Sequence, residues 1–201
     1  MLGGRSERVV QQVLVATVAE LAQSGYRAFR MDVVSAAAGV NKTTIYRRWP
    51  AKALLVAAAV EWMRRFVHDV PLPDTGSLER DLADAFRRKV SFKDRVEGQA
   101  WARLLAEKHD PEVGAIIGDA VGERSDHWYA MVRRAIARGE LPEGTDPRLL
   151  LAMLGAIVDA WNARSSGRLK TELLEAAVRT VVAGARSGSL VRTSGRSAKN
   201  R

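Results

Sequence analysis

The sequence predicts an all-α protein of about nine helices in two parts, and three observations carry that prediction. Apolar residues recur at three- and four-residue intervals along most of the chain, alternating strand patterns are missing, and glycines and prolines fall where one helix should stop and the next begin. With 201 residues, 47% of them hydrophobic and 27% charged, the chain belongs among ordered globular proteins able to bury a core without staples.

The first helix is read from Val9, Val13, Val18 and Leu21, which share one face, with Gly25 after the last turn. A short alanine-rich helix from Asp32 to Ala38 is closed by Gly39, and a second short helix from Lys42 to Trp49 is stopped by Pro50. A longer one follows from Lys52 to His68. Pro71, Pro73, Asp74 and Gly76 then mark a break, so a first domain is placed at residues 1–70. Beyond it, helices are expected at Ser77–Ser91, Arg95–Lys108, Pro111–Arg138, Pro147–Arg164 and Thr171–Arg186, giving a second domain at 71–187. Asp146 and Pro147 supply an N-cap and a favoured first helical position. Residues 188–201 are small and basic, and are expected to form a disordered tail.

Composition excludes several functions. The chain lacks cysteine, which removes disulfides, thiolate metal sites and a cysteine nucleophile and fits a cytoplasmic location. The longest apolar run, Leu149 to Val158, is half of the roughly 20 residues that cross a bilayer. Polar Gln11, Gln12 and Glu20 interrupt the start, so no export signal is read. Three histidines, His68, His109 and His127, lie in no metal-ligand or catalytic spacing, and phosphate-binding glycine loops are lacking. Neither enzyme nor metal nor cofactor is expected.

Net charge is +9, and its distribution is uneven. Residues 1–52 hold eight Lys/Arg against three Asp/Glu, residues 53–185 are almost balanced, and the last sixteen residues add five cations without an acid. A cationic segment on a nearly neutral body suits a polyanion, most simply nucleic acid; solubility is the plainer use of such charge.

The segment GVNKTTIYRRWPAK, Gly39 to Lys52, sharpens this. On a helix from Lys42, Thr43 and Arg47 share the centre of one face, Thr44 and Tyr46 flank it, and Ile45 and Trp49 point elsewhere. Hydroxyls, a phenol and an arginine on one face can grip phosphate, meet a thymine methyl or read guanine bidentately. Lys42 and Arg48 sit at the margins, where the walls of a major groove would pass. Lys52 lies in a first helical turn, where the macrodipole disfavours a cation unless an anion binds there; simple exposure to solvent is the alternative.

The run from Val9 to Val56, with Gly25-Tyr26, Ala36 to Val40, Thr44-Ile45-Tyr46-Arg47-Arg48-Trp49-Pro50, Lys52 and Leu54-Leu55, resembles the DNA-binding domain of TetR-family transcriptional regulators. The resemblance implies an N-terminal helix-turn-helix domain followed by a helical ligand-binding and dimerisation domain. It also implies a homodimer whose recognition helices, about 34 Å apart, enter successive major grooves of a partly palindromic double-stranded DNA operator. The expected DNA contacts are Arg30, Lys42, Thr43, Thr44, Tyr46, Arg47, Arg48 and Lys52, with Arg47 reading a base. Three positions depart from the family pattern: Phe29 replaces a small hydroxyl residue, and Arg30 and Ala51 stand where helix caps are usual. An uncapped start at Ala51 should cost about 1 kcal/mol.

The last two helices are apolar over more than one stripe, and pairing with their copies in a four-helix bundle is one reading, burial inside the subunit the other. Trp101, Leu105, His109, Trp128, Met131, Val132, Met153, Ile157 and Trp161 are the candidates for the wall of an effector pocket suited to an apolar or aromatic molecule. Such residues inside helices also serve as plain core. A repressor released by that effector is the leading expectation; an architectural DNA-binding protein with no effector is the alternative.

Overall fold

A computed structural model describes residues 3–68, 71–164 and 170–191, and the expected basic tail beyond 191 lies outside them. Among the described residues there are nine helices: α1 (Gly3–Ser24), α2 (Met31–Ala37), α3 (Lys42–Arg48), α4 (Lys52–His68), α5 (Leu78–Lys93), α6 (Val96–Ala106), α7 (Pro111–Ala137), α8 (Pro147–Arg164) and α9 (Thr171–Arg186). α1 begins six residues earlier than its apolar stripe suggested, and there Ser6, Glu7 and Arg8 are polar and exposed, so no apolar period marks the start. The described residues fall into two compact units, one drawn from Met1–Pro71 with Ser91–Arg124, the other from Leu72–Val90 with Ser125–Arg201.

In the first unit α1 buries Val13, Leu14, Val18 and Leu21 and packs along α6, α2 and α4. Thr17, fully buried on the same helix, donates its hydroxyl to the Val13 carbonyl at 2.7 Å, so no polar atom is stranded there. Leu55, Val56, Ala59 and Met63 of α4 and Ala100, Leu104, Val113 and Ile117 of α6 and α7 complete this core. Phe29 joins it as well, which explains an aromatic ring at that position.

Gly98 of α6 lies where the chain turns from α5, and a methyl group built on it would stand 1.9 Å from the Phe92 carbonyl oxygen and 2.8 Å from Lys93 Cα. Both obstacles are backbone, so neither can rotate away. Gly98→Ala is therefore expected to cost about 3 kcal/mol through overpacking. A thermal melt should fall by about 6–12 °C, and an unchanged melting temperature would refute the close approach.

The second unit buries Leu78, Leu82 and Phe86 of α5, Met131, Val132 and Ala135 of α7, Leu150, Leu154 and Val158 of α8, and Leu174, Val178 and Val182 of α9. Trp128 meets Phe86 edge-on, with ring centroids 4.9 Å apart. Asp81, fully buried, ties down the loop before α5 by accepting from the Thr75 amide and hydroxyl at 2.9 and 2.8 Å. An isolated antiparallel bridge between Thr145 and Val191 is the one strand-like pairing among the described residues.

Candidate nucleic-acid interface

α3 owes its register to its two ends. Asn41 accepts the Thr43 amide at 2.9 Å and the Thr43 hydroxyl at 2.8 Å, a side-chain N-cap, and the helix stops at Trp49 before Pro50. Ile45 and Trp49, 1% and 8% exposed, anchor it in the first unit's core. That anchoring turns Lys42, Thr43, Tyr46, Arg47 and Arg48 to solvent, with Thr44 half-buried at the edge. The Arg48 guanidinium lies 5.4 Å from the centre of the Trp49 ring, a cation–π contact that limits its wandering. The turn leading into α3 is closed by the Val40 amide on the Ser35 carbonyl at 3.0 Å.

Two expected contacts are placed differently from a free cation. Arg30 provides no side-chain cap to α2; its guanidinium instead grips Asp32 through Nε and Nη2 at 3.2 and 2.7 Å. That hydrogen bond, ahead of simple charge attraction, lowers the Asp32 pKa and raises that of Arg30, so much of the arginine's charge is met within the chain. Lys52 turns back on the α1–α2 connection: its ammonium donates to the Tyr26 carbonyl at 3.2 Å and lies 4.0 Å from the centre of the Tyr26 ring. A Lys52→Glu change would therefore disturb this turn as well as any phosphate contact.

Tyr26 is the hub of that turn. Gly25 before it has φ +70° and caps α1 by donating to the Leu21 carbonyl at 3.0 Å. The Glu107 carboxylate sits against the open face of Gly25 and accepts the Tyr26 and Arg27 amides, both at 2.9 Å. The Tyr26 phenol donates to Glu112, and burial first, then this bond, pushes its pKa far above the ordinary tyrosine range. Two acids from the α6–α7 corner thus clamp the segment that leads into the helix-turn-helix. Sequence reading missed both, since they lie 81 and 86 residues from their partners and belong to no periodic pattern. Glu107→Ala should cost about 2 kcal/mol by releasing two charge-assisted bonds. Faster hydrogen exchange at the Tyr26 and Arg27 amides is the expected signature; unchanged exchange would refute the clamp.

Among the described residues, the nine considered for an effector pocket lie in different settings. Trp101 and Leu105 are half-buried against the first core, and exposed His109 borders a hollow of about 660 Å³ with Arg27 and Glu107. Met131 and Val132 are fully buried core of the second unit, with Trp128 half-buried beside them. Met153, Ile157 and Trp161, 42%, 43% and 40% exposed, lie with Leu149 on an outward ridge of α8. The reason is register: Leu150, Leu154 and Val158 take the inward ridge, one residue and so about 100° away.

A short capped helix, locked from behind by an isoleucine and a tryptophan and offering hydroxyl, phenol and guanidinium groups outward after a tight turn, defines a helix-turn-helix DNA-binding protein. Residues 13–59 match the family described as "Bacterial regulatory proteins, tetR family", and residues 72–181 match "Tetracyclin repressor-like, C-terminal domain". The chain belongs to the TetR family of transcriptional regulators. It is similar to the HTH-type transcriptional regulator AqdR of Rhodococcus erythropolis, 31% identical over 181 residues, 90% of this chain and 86% of that one. The DNA-binding transcriptional repressor TetR of Mycobacteroides abscessus is 30% identical over 152 residues, covering 73% and 77% of the two chains. Among solved structures, Salmonella enterica GusR shares the fold with a TM-score of 0.68 at 19% identity, over 92% of this chain and 98% of that one. A TetR-family regulator from Agrobacterium tumefaciens does so with 0.69 at 18%, over 90% and 98%. These matches make the protein a transcriptional regulator rather than an enzyme. Among the described residues no helix is long and apolar enough to cross a membrane.

Proposed function

We propose that the protein is a repressor that binds a palindromic operator as a homodimer and leaves it when a small molecule binds. Residues 1–70 would grip DNA, and residues 71–187 would carry dimer contacts and effector binding. The observation that carries the reading is the solvent-facing set Thr43, Tyr46 and Arg47 on a helix held from behind by Ile45 and Trp49. Arg47 reads a base, Tyr46 and the threonines meet phosphate or a thymine methyl, Lys42 and Arg48 face the phosphate backbone, and Lys52 would add its charge to a phosphate from its place against Tyr26. Arg30 contributes to phosphate by sharing its guanidinium with Asp32.

Dimerisation is supported by the outward side of the last two helices. Leu149, Met153, Ile157 and Trp161 form one ridge of α8 and Ala152, Ala156 and Ala160 a lower one beside it, a surface shaped for ridge-in-groove packing. Leu173 of α9 is also exposed, and Gly155 and Gly184 have open space where a side chain would be. Met153, Ile157 and Trp161 are accordingly reassigned from effector pocket to dimer contact, while Trp128 remains the aromatic side chain for an apolar or aromatic effector.

Footprinting on the promoter nearest the protein's own gene tests the reading. A discrete palindrome with half-site centres about 10 bp apart, or a multiple of that, is expected. With about four phosphate contacts per subunit, log K should fall against log salt with a slope of roughly −7. Broad protection without register would mean an architectural binder and would overturn the proposal.

A further inference from the structure

We infer a second small-molecule site in the second unit, in the cleft between α5 and α9, built for a short organic dicarboxylate held between Arg80 and Arg179. The cleft is open to solvent, with a volume of about 410 Å³, within the range of small-ligand sites, and both arginines line it. It is distinct from the helix-turn-helix and from the α8 ridge.

Charge accounting singles out these two side chains. Three acids line the cleft, and each is already matched. Asp84 is held by Arg87 at 2.9 Å and by Arg88 at 2.7 Å, Glu175 is faced by Arg87 at 3.8 Å, and Glu79 is bound by Arg186 at 2.5 Å. Arg80 and Arg179 have no ion pair or hydrogen bond to any described residue. The lining itself is balanced, with Arg80, Arg87 and Arg179 against Glu79, Asp84 and Glu175, but Arg88 and Arg186 pair with two of those acids from outside it and so leave Arg80 and Arg179 uncompensated. A guanidinium fork matches a carboxylate bidentately.

The two cross-helix ion pairs fix how these arginines stand. Glu79 near the start of α5 meets Arg186 at the end of α9, and Arg87 late in α5 meets Glu175 early in α9, so the helices run antiparallel. Counting from one pair or the other sets Arg179 level with Ala83 to Phe86, about 4.5 to 9 Å along the axis from Arg80. The arginines thus line opposite walls with an offset whose range includes the separation of the two carboxylates of a short diacid such as adipate. Ala83 and Val178, both nearly or fully buried, offer methyl groups between them to the diacid's methylenes.

The site also stays open in the proposed dimer. On α9, Arg179 is displaced by about 120° or more from Leu173 and Gly184, the α9 residues proposed to face the partner copy.

Adipate titrated into the full-length protein by calorimetry, at fixed ionic strength, tests the inference, with hexanoate as the monoacid control and Arg80→Gln and Arg179→Gln as single variants. Saturable binding at one adipate per chain is expected, with hexanoate roughly tenfold weaker and each variant reducing adipate to the hexanoate level. Both arginines are exposed, so far-ultraviolet circular dichroism should confirm folded variants. Absence of saturable adipate binding, hexanoate binding as tightly as adipate, or variants that bind adipate like the parent would each overturn it.

Discussion

Arg47→Ala is expected to weaken operator binding by about a hundredfold, the product of a loss of roughly tenfold at each of two symmetric half-sites. The side chain is exposed on α3, beyond the Ile45 and Trp49 anchors, so its removal leaves the helix seated and the melting temperature nearly unchanged. A base contact and a phosphate contact leave different traces in salt. Loss of Arg47 should lower affinity for the operator far more than for random DNA, with the salt slope little changed. Arg48→Ala should weaken both kinds of DNA alike and flatten the slope by about 2 in the dimer. Fluorescence anisotropy across a salt series on both duplexes separates the two outcomes. Equal losses on operator and random DNA for Arg47→Ala would move base reading to another residue, with Tyr46 and Thr43 next on the same exposed face.

The contrast between α3 and the rest of the molecule shows where sequence reading works. α3 is seven residues long and its fate is decided locally: an Asn cap, a proline stop, and two apolar residues four apart that settle which face turns inward. Its outward chemistry follows at once. α8 is the opposite case, because Leu149, Met153 and Ile157 and Leu150, Leu154 and Val158 are equally apolar ridges one residue apart. Periodicity cannot rank them; only the packing of α9 against one side does so, which is why three residues expected in a pocket are found facing outward. Long-range polar contacts escape for a different reason. Nothing near Glu107 or Glu112 announces a partner at Tyr26, and nothing near Lys52 announces that its ammonium meets the Tyr26 carbonyl and ring. Segment 91–124 likewise packs with the N-terminal helices although the break in composition lies near residue 71.

Met153→Glu combined with Ile157→Glu is expected to convert the proposed dimer to a folded monomer. Both side chains are more than two-fifths exposed and neither belongs to the second unit's core, so the subunit loses little when they are charged. Across a two-fold axis the same change sets carboxylates against their own copies on a surface that must otherwise exclude water. Charges desolvated without partners are costly, and like charges in apposition add to that cost. Leu154→Glu, on the fully buried ridge, is the informative contrast: it should unfold the subunit rather than split the dimer. Light scattering on the gel-filtered double variant should report a mass near the 22.0 kDa chain. Operator binding should fall with it, because the second recognition helix no longer arrives at the high effective concentration that linkage gives, a loss of about a hundredfold or more. Arg47→Ala would lose the same affinity while remaining a dimer, so mass and affinity measured on both variants distinguish a failed DNA contact from a failed partnership. A double variant that stays dimeric would place the interface away from the outer ridge of α8.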